Sequence, residues 1–227
     1  MHQPVAAEDN EALFAFQRDL MVEEQLRERG IRDERVLAAF QSVPRHRFVP
    51  SDLRLASYCD HPLPIGYGQT ISQPFVTAYM LEQLHLKGGE RVLDVGTGSG
   101  YQAALLAGLV AEVYTIEIIP ELAQGAVLTL AELGLDNIHF QIGDGSQGWP
   151  AFAPYDAIAV AAAAMRAPRA LLDQLAEGGR LMLPVGGLGG QQLELWWREA
   201  GSFRHRASLK VAYVPLRVKS EDLDNRE

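Results

Sequence analysis

Short apolar runs alternate with stretches of helical periodicity through the middle of this chain, and that alternation predicts its architecture. Val92, Leu93 and Val95 form a run of the kind that is buried on both faces of a parallel sheet. Comparable runs predict strands at 91–95, 112–116, 138–142, 157–161 and 180–184. Between them, apolar residues at helical spacing predict helices over 101–110, 120–133 and 168–175. Strands alternating with helices imply an α/β fold, a doubly wound and mainly parallel sheet covered by helices. Two further runs, 192–197 and 209–214, are joined by a Gly-Ser-containing turn and are expected as an antiparallel pair on the sheet edge.

The chain ahead of this core has a different pattern. Phe14, Leu20, Met21 and Leu26 lie among charges and predict an amphipathic helix over 11–29, ended by Gly30. Val36, Leu37 and Phe40 predict a second helix over 33–40, and residues 1–10 are expected to be a disordered lead-in. Pro44 and Pro50 bracket an irregular segment, and Pro62, Pro64, Gly66 and Gly68 make 60–70 a turn-rich loop. Pro74 suits the first turn of a helix reaching about Leu86, with Ser72 as its cap. No linker or repeat interrupts the chain. One domain over 11–227 is therefore expected: a helical cap and substrate loop (11–87), a ligand-binding core (88–185) and edge strands (186–218).

Composition removes several classes of function. A formal charge of −9 argues against a broad electrostatic grip on nucleic acid. The local basic cluster Arg45-His46-Arg47 is read as a solvated loop. The single cysteine, Cys59, forms no internal disulfide and fits a reducing compartment. Six histidines show no metal-ligand spacing, so no metal is expected. No run approaches membrane-spanning length and no leader is evident, so the expectation is a cytoplasmic monomer that does not engage a membrane.

The candidate chemistry follows the first core strand. Asp94-Val95-Gly96-Thr97-Gly98-Ser99-Gly100 places a glycine turn between a buried strand and a helix, where a ligand can touch bare backbone. The third glycine of the dinucleotide fingerprint would fall on Tyr101, and no Gly-Lys-Ser/Thr ends the turn. The sequence instead resembles the first motif of Rossmann-like methyltransferases, which bind S-adenosylmethionine (SAM) and release S-adenosylhomocysteine. Glu117, seventeen residues past Gly100, ends the next strand at a spacing suited to ribose hydroxyls. Asp144, in Gly143-Asp144-Gly145, ends the third strand and could accept from an adenine amino group. Asp94, Glu117 and Asp144 thus close three successive strands on one rim.

Strand four ends in Ala161-Ala162-Ala163-Ala164, without the Asn/Asp-Pro-Pro-aromatic turn that resembles a nitrogen methylation site. No histidine or lysine lies nearby to deprotonate a hydroxyl. A carboxylate acceptor needs neither, because it arrives ionised.

One further set of segments is specific. Leu63-Pro64-Ile65-Gly66 and Gly68-Gln69-Thr70-Ile71-Ser72-Gln73-Pro74 resemble the signature of the protein-L-isoaspartate O-methyltransferase family. Met21–Ile31, Val43–Pro50, Val92–Gly100, Gly143–Gly145, Leu171–Val185 and Tyr213–Leu216 extend the resemblance over roughly residues 20–218. The resemblance implies methylation of the α-carboxylate of L-isoaspartyl residues in damaged proteins and peptides, which then close to a succinimide. It implies Ser72 as the active-site residue, with Ile71, Ser72, Gln73, Pro74 and Phe75 lining the cofactor and substrate pocket beside Asp94, Gly96, Thr97, Gly98, Glu117, Asp144 and Gly145. Ser72 has no evident nucleophilic partners, so it is read as a hydrogen-bond donor to the acceptor carboxylate. The acceptor pocket is expected between the Gly66–Ser72 and Ala162–Pro168 loops, with Arg166 as their one cation. Two departures from the family pattern stand out: Tyr67 in place of histidine, and Ala164-Met165 where a proline is usual. The first is mild; the second, which removes a proline that would stiffen the loop over the acceptor, is the one feature favouring a relative recruited to one aspartyl peptide. A SAM-binding module without turnover is the other alternative, disfavoured by the intact Ser72.

Overall fold

The computed structural model describes residues 7–187 and 189–219. Helix α1 (Ala7–Leu20) opens the chain and runs directly into a wider π-helical stretch, Met21–Arg27. It starts inside the segment expected to be disordered; residues 1–6 of that expectation lie outside the described residues. Helix α2 (Glu34–Ser42) starts where the Asp33 carboxylate accepts from the amides of Arg35 and Val36, satisfying two donors that the first turn leaves free. Short 3-10 turns at Arg45–Phe48 and Ser51–Ala56 lead to a small antiparallel hairpin, β1 (Leu63–Gly66) and β2 (Gln69–Ile71), in the stretch expected to be a loop. Helix α3 (Pro74–Gln83) follows with proline in its first turn. Gln73, not Ser72, occupies its cap position, and no side chain caps it.

The core then alternates as the pattern predicts: β3 (Arg91–Val95), α4 (Tyr101–Ala107), β4 (Glu112–Glu117), α5 (Pro120–Glu132), β5 (Ile138–Ile142), β6 (Tyr155–Val160), α6 (Arg169–Asp173) and β7 (Leu175–Gly187). Two long strands, β8 (Gly190–Glu199) and β9 (Ser202–Val211), complete a seven-stranded sheet of order β5-β4-β3-β6-β7-β8-β9. The first five in that order are parallel, and β8 and β9 are antiparallel. This is the doubly wound, Rossmann-like arrangement with an antiparallel edge.

The last strand departs from expectation. Only the first half of the apolar run 209–214 lies in β9, which begins with the polar and largely exposed Ser202–Ser208. An edge strand with one wet face has no need of apolar residues, and hydrogen bonding to β8 suffices to define it. Residues 212–217 leave the sheet and fold back across the core.

Side chains alternate across the central strands. Val92, Val113, Ala157 and Ala159 face the helical cap and α3–α5, whereas Leu93, Val95, Tyr114, Ile116, Ile158 and Val160 face α6 and an aromatic group around Trp149 and Tyr155. From β3 the chain winds outward to β4 and β5, then returns to the other side of β3 as β6. That reversal opens a crevice at the carboxyl ends of β3 and β6, the place where open α/β sheets take ligands.

Candidate active site

The cleft at this switch point is floored by Val95–Ser99, walled by Ile116–Ile119 and Gly145, and faced by Gln69–Ser72 from the hairpin. The turn leaves β3 through Gly96, Gly98 and Gly100, all with positive φ (90, 54 and 93°). An L side chain would strain that path, so the backbone is left bare toward the cleft. Gly145 is required for a second reason: a Cβ there would lie 2.4 Å from Cγ1 of Val95, inside contact distance.

Acidic groups hold this turn. Glu117 is 5% exposed; its Oε2 accepts from the Gly98 amide at 2.8 Å and its Oε1 from the Ile119 amide at 2.9 Å. It lines the cleft and retains lone pairs for a ligand. Asp94 is placed differently. It is wholly buried beneath the turn, where its Oδ1 accepts from Gln102 Nε2 at 2.7 Å and its Oδ2 from Thr115 Oγ1 at 2.8 Å. Thr115 in turn lies 2.6 Å from the Thr97 hydroxyl. Burial pushes the Asp94 carboxyl up to about 6, against the lowering effect of those two hydrogen bonds. Asp94 therefore supports the turn from below and does not line the cleft. Asp144 also faces its own surroundings: Oδ1 caps the Ser146 amide at 2.9 Å and Oδ2 accepts from the Lys219 amide at 3.0 Å. The rim expected of three carboxylates thus offers one, Glu117, to the cleft, with Gly145 as neighbour.

The segment 71–75 divides similarly. Ile71 and Ser72 line the cleft. Gln73 turns away and donates to the carbonyl and carboxylate of Asp60 at 3.1 and 2.8 Å. Pro74 is buried in α3, and the Phe75 ring lies 3.8 Å beneath the Arg29 guanidinium. Ser72 also borders a second hollow, formed with Pro62, Val76 and Lys210–Tyr213. It sits at the joint of two spaces.

Arg45 grips the Ser72 main chain. Arg45 Nη2 donates to its carbonyl at 2.7 Å, and Arg45 Nε donates to the Ser57 carbonyl at 2.7 Å. The Tyr213 phenol, which borders the same hollow as Ser72, is held well above its ordinary pKa by burial and donates to Met80 Sδ at 3.0 Å. Arg45 and His46 are 0% and 2% exposed, so two members of the basic cluster read as a solvated loop are interior, and only Arg47 reaches solvent, paired with Glu132.

Sequence reasoning missed one wall altogether. Val214–Arg217 crosses the mouth of the cleft. It is hydrogen-bonded to the alanine run: the Ala163 amide donates to Val214 O at 2.8 Å and the Leu216 amide to Ala163 O at 2.8 Å. Ala164 is tied likewise to Pro184 and Gly186 at 3.1 and 2.9 Å. The run that lacks the usual proline is pinned by two isolated parallel bridges, Ala163 to Pro215 and Ala164 to Val185. Arg217 lines the mouth and donates to Tyr67 O at 3.2 Å, whereas Arg166 lies outside the cleft. The Tyr213–Leu216 motif was the available signal, but nothing in its composition says where it folds. Among the described residues, no His/Cys/Asp/Glu group could hold a metal ion, and no helix is long and apolar enough to cross a membrane.

This fold and this cleft define a Rossmann-like methyltransferase. A model of the protein-L-isoaspartate(D-aspartate) O-methyltransferase (PCMT) family matches residues 17–221, and the chain belongs to that family. It is 52% identical over 203 residues to a protein-L-isoaspartate O-methyltransferase of Picosynechococcus sp., covering 89% of this chain and 91% of that one. It is 55% identical over 201 residues to protein-L-isoaspartate O-methyltransferase 2 of Marinobacter nauticus, covering 88% and 92%. A Plasmodium falciparum structure of the same description, in complex with S-adenosyl-L-homocysteine, superposes with a TM-score of 0.78 at 28% identity, covering 89% of this chain and 99% of that one.

Proposed function

We propose that this protein transfers the methyl group of S-adenosylmethionine to the α-carboxylate of L-isoaspartyl residues in damaged proteins and peptides. Family membership supports the reaction class. The observation that carries the residue assignment is the position of Ser72, between the cofactor cleft and a second hollow, neither of them lined by a histidine.

The cleft fits the donor. The bare Gly96–Gly98 backbone and the close approach at Gly145 leave room that side chains would fill. Glu117 would take the ribose hydroxyls while holding the turn, and Gly145 would border the base. When bound, the cofactor supplies an electrophilic methyl group on a sulfonium centre. A carboxylate oxygen of the acceptor forms the new C–O bond as the S–CH3 bond breaks, so opposite charges are neutralised and no proton is transferred. The protein's contribution is therefore positioning and exclusion of water. Ser72 donates a hydrogen bond that fixes the acceptor oxygen in line. The Val214–Arg217 strap closes the mouth. The ester then cyclises to a succinimide without enzymatic help, and hydrolysis returns part of the product to normal aspartate.

Isoaspartyl and aspartyl residues differ by the position of one methylene between carboxylate and main chain. A pocket that fixes the peptide on both sides separates them through geometry, because in-line transfer tolerates little misplacement. The alternative of a relative specialised for one aspartyl peptide rested on a loosened alanine loop, and the four backbone bonds at Ala163 and Ala164 remove its motive. This reading includes a cytoplasmic monomer that does not bind nucleic acid.

The test pairs isoaspartyl and aspartyl peptides of one sequence with methyl-labelled SAM. The isoaspartyl peptide should become a base-labile ester while its partner stays essentially unmodified. Equal labelling of both would overturn the choice of acceptor.

A further inference from the structure

Arg45 is the largest fully buried side chain in the described structure, and its charge is not neutralised by an ion pair there. Two of its nitrogens donate to the carbonyls of Ser57 and Ser72, and the third, Nη1, has no partner. Its guanidinium carbon lies 4.9 Å from the centre of the Tyr101 ring. The titratable groups around it are Tyr101, Tyr58 and Asp60, and the Asp60 carboxylate is already engaged by Arg29 and Gln73. Tyr101 is itself 2% exposed with an unpartnered hydroxyl, and it lines the cleft together with Ser72.

Stability alone does not account for this arrangement. Removing a guanidinium from water without a counter-ion costs several kcal/mol, and apolar replacement of buried charge is often neutral or stabilising. What the charge does have is a location. It lies directly behind the Ser72 main chain and the Tyr101 ring, the wall that separates it from the cleft, in surroundings where water screens little.

We propose that Arg45 is a positioning residue for methyl transfer, which fixes the Ser72 turn through its carbonyl and supplies the positive potential that draws the anionic acceptor against that turn. The proposal rests on the carboxylate reading above. It adds an unscreened interior charge to the two exposed cations at the rims, Lys210 of the second hollow and Arg217 at the mouth.

The test uses Arg45→Met and Arg45→Lys in the full chain, with wild type measured first. Wild type should bind the isoaspartyl peptide, in the presence of S-adenosylhomocysteine, roughly tenfold more tightly than the neutral isoasparaginyl peptide, a charge preference of ordinary size for one such contact. Arg45→Met should abolish that preference and lower kcat/KM by about 10–100-fold while cofactor affinity is retained. Arg45→Lys, which keeps the charge but not the fork, should retain the preference for the anion and lose part of kcat. A Met variant that keeps both the preference and the wild-type kcat/KM overturns the proposal. So does a Lys variant whose cofactor affinity, thermal midpoint and turnover fall together, because that marks a purely structural role. If Arg45→Met does not fold, the Lys variant decides alone through its anion preference. Failure of wild type itself to methylate the isoaspartyl peptide is a separate result, which removes the carboxylate reading and the proposal with it.

Discussion

The two walls of the cleft are built over very different spans of chain. On the glycine-turn side, Gln102 reaches Asp94 across 8 residues, Gly98 reaches Glu117 across 19 and Thr115 reaches Asp94 across 21. All belong to one strand–helix–strand unit. On the Ser72 side, Arg45 reaches Ser72 across 27 residues, Tyr213 reaches Met80 across 133 and Arg217 reaches Tyr67 across 150. The donor wall is a local motif. The acceptor wall exists only once the C-terminal strap has folded back over the hairpin. Changes to the two walls should therefore separate donor binding from turnover.

The largest expected effect is on the acceptor side. Ser72→Ala should lower kcat by roughly 10- to 1000-fold, the range for loss of one hydrogen bond made to the reacting centre. Cofactor affinity measured by calorimetry should hardly change, because the bonds of the donor wall do not involve Ser72. A methylated Ser72 trapped during turnover would contradict this and make Ser72 a nucleophile.

Glu117→Ala attacks the opposite wall. It deprives the Gly98 and Ile119 amides of their acceptor as well as the ribose of its partner. S-adenosylhomocysteine binding should weaken by about 1–3 kcal/mol. Saturating cofactor should recover most of kcat. If kcat stays low at saturation, the two walls are not independent.

Asp94 tests the same wall through stability. Its folded pKa of about 6 lies above the ordinary value of 3.8, so the folded protein holds this proton more tightly than the unfolded chain. The ionised carboxylate therefore costs stability above pH 6, and that cost is relieved as pH falls from there toward 3.8. The full shift is worth at most about 3 kcal/mol. Asp94→Asn has no such ionisation. In urea titrations the stability of wild type relative to Asp94→Asn should thus rise as pH is lowered from about 7.5 to about 4.5. A flat difference would mean that Asp94 is not held in a dry site.

How much was legible follows the same division. β3 and β5 fall at their expected bounds, and the Gly96–Gly100 turn with Glu117 could be placed from spacing alone, because strand, turn and helix there are local consequences of apolar runs and glycines. Spacing also put Asp94 and Asp144 on the ligand rim, yet it cannot say which way a carboxylate turns. Asp94 points down into Gln102 and Thr115, and Asp144 into its own turn and Lys219. The interior position of Arg45, the roof at Val214–Arg217 and the pinning of the alanine run were not legible. Each depends on hydrogen bonds to main-chain groups distant in sequence, which leave no mark on side-chain periodicity. β9 was displaced for a related reason, since its polar face carries no strand pattern.

The smallest expected effect comes from restoring the family's proline at Met165. Ala163 and Ala164 carry the backbone bonds of two isolated bridges, through both their amides and their carbonyls. Met165 lies just beyond them, 78% exposed and with no partner recorded for its amide. Ala164 pairs with Val185 as a parallel bridge, so it already has the extended backbone that a residue before proline requires. Met165→Pro should thus remove no hydrogen bond and restrict only the unfolded chain. The expected gain is about 0.4–1 kcal/mol, read as a higher urea midpoint at unchanged slope. The ratio of isoaspartyl to aspartyl methylation should not move, because the alanine run is held by Val214, Pro184 and Gly186 whether or not proline follows it. A change in that ratio would extend the acceptor wall to residue 165 and make this departure from the family pattern one of specificity.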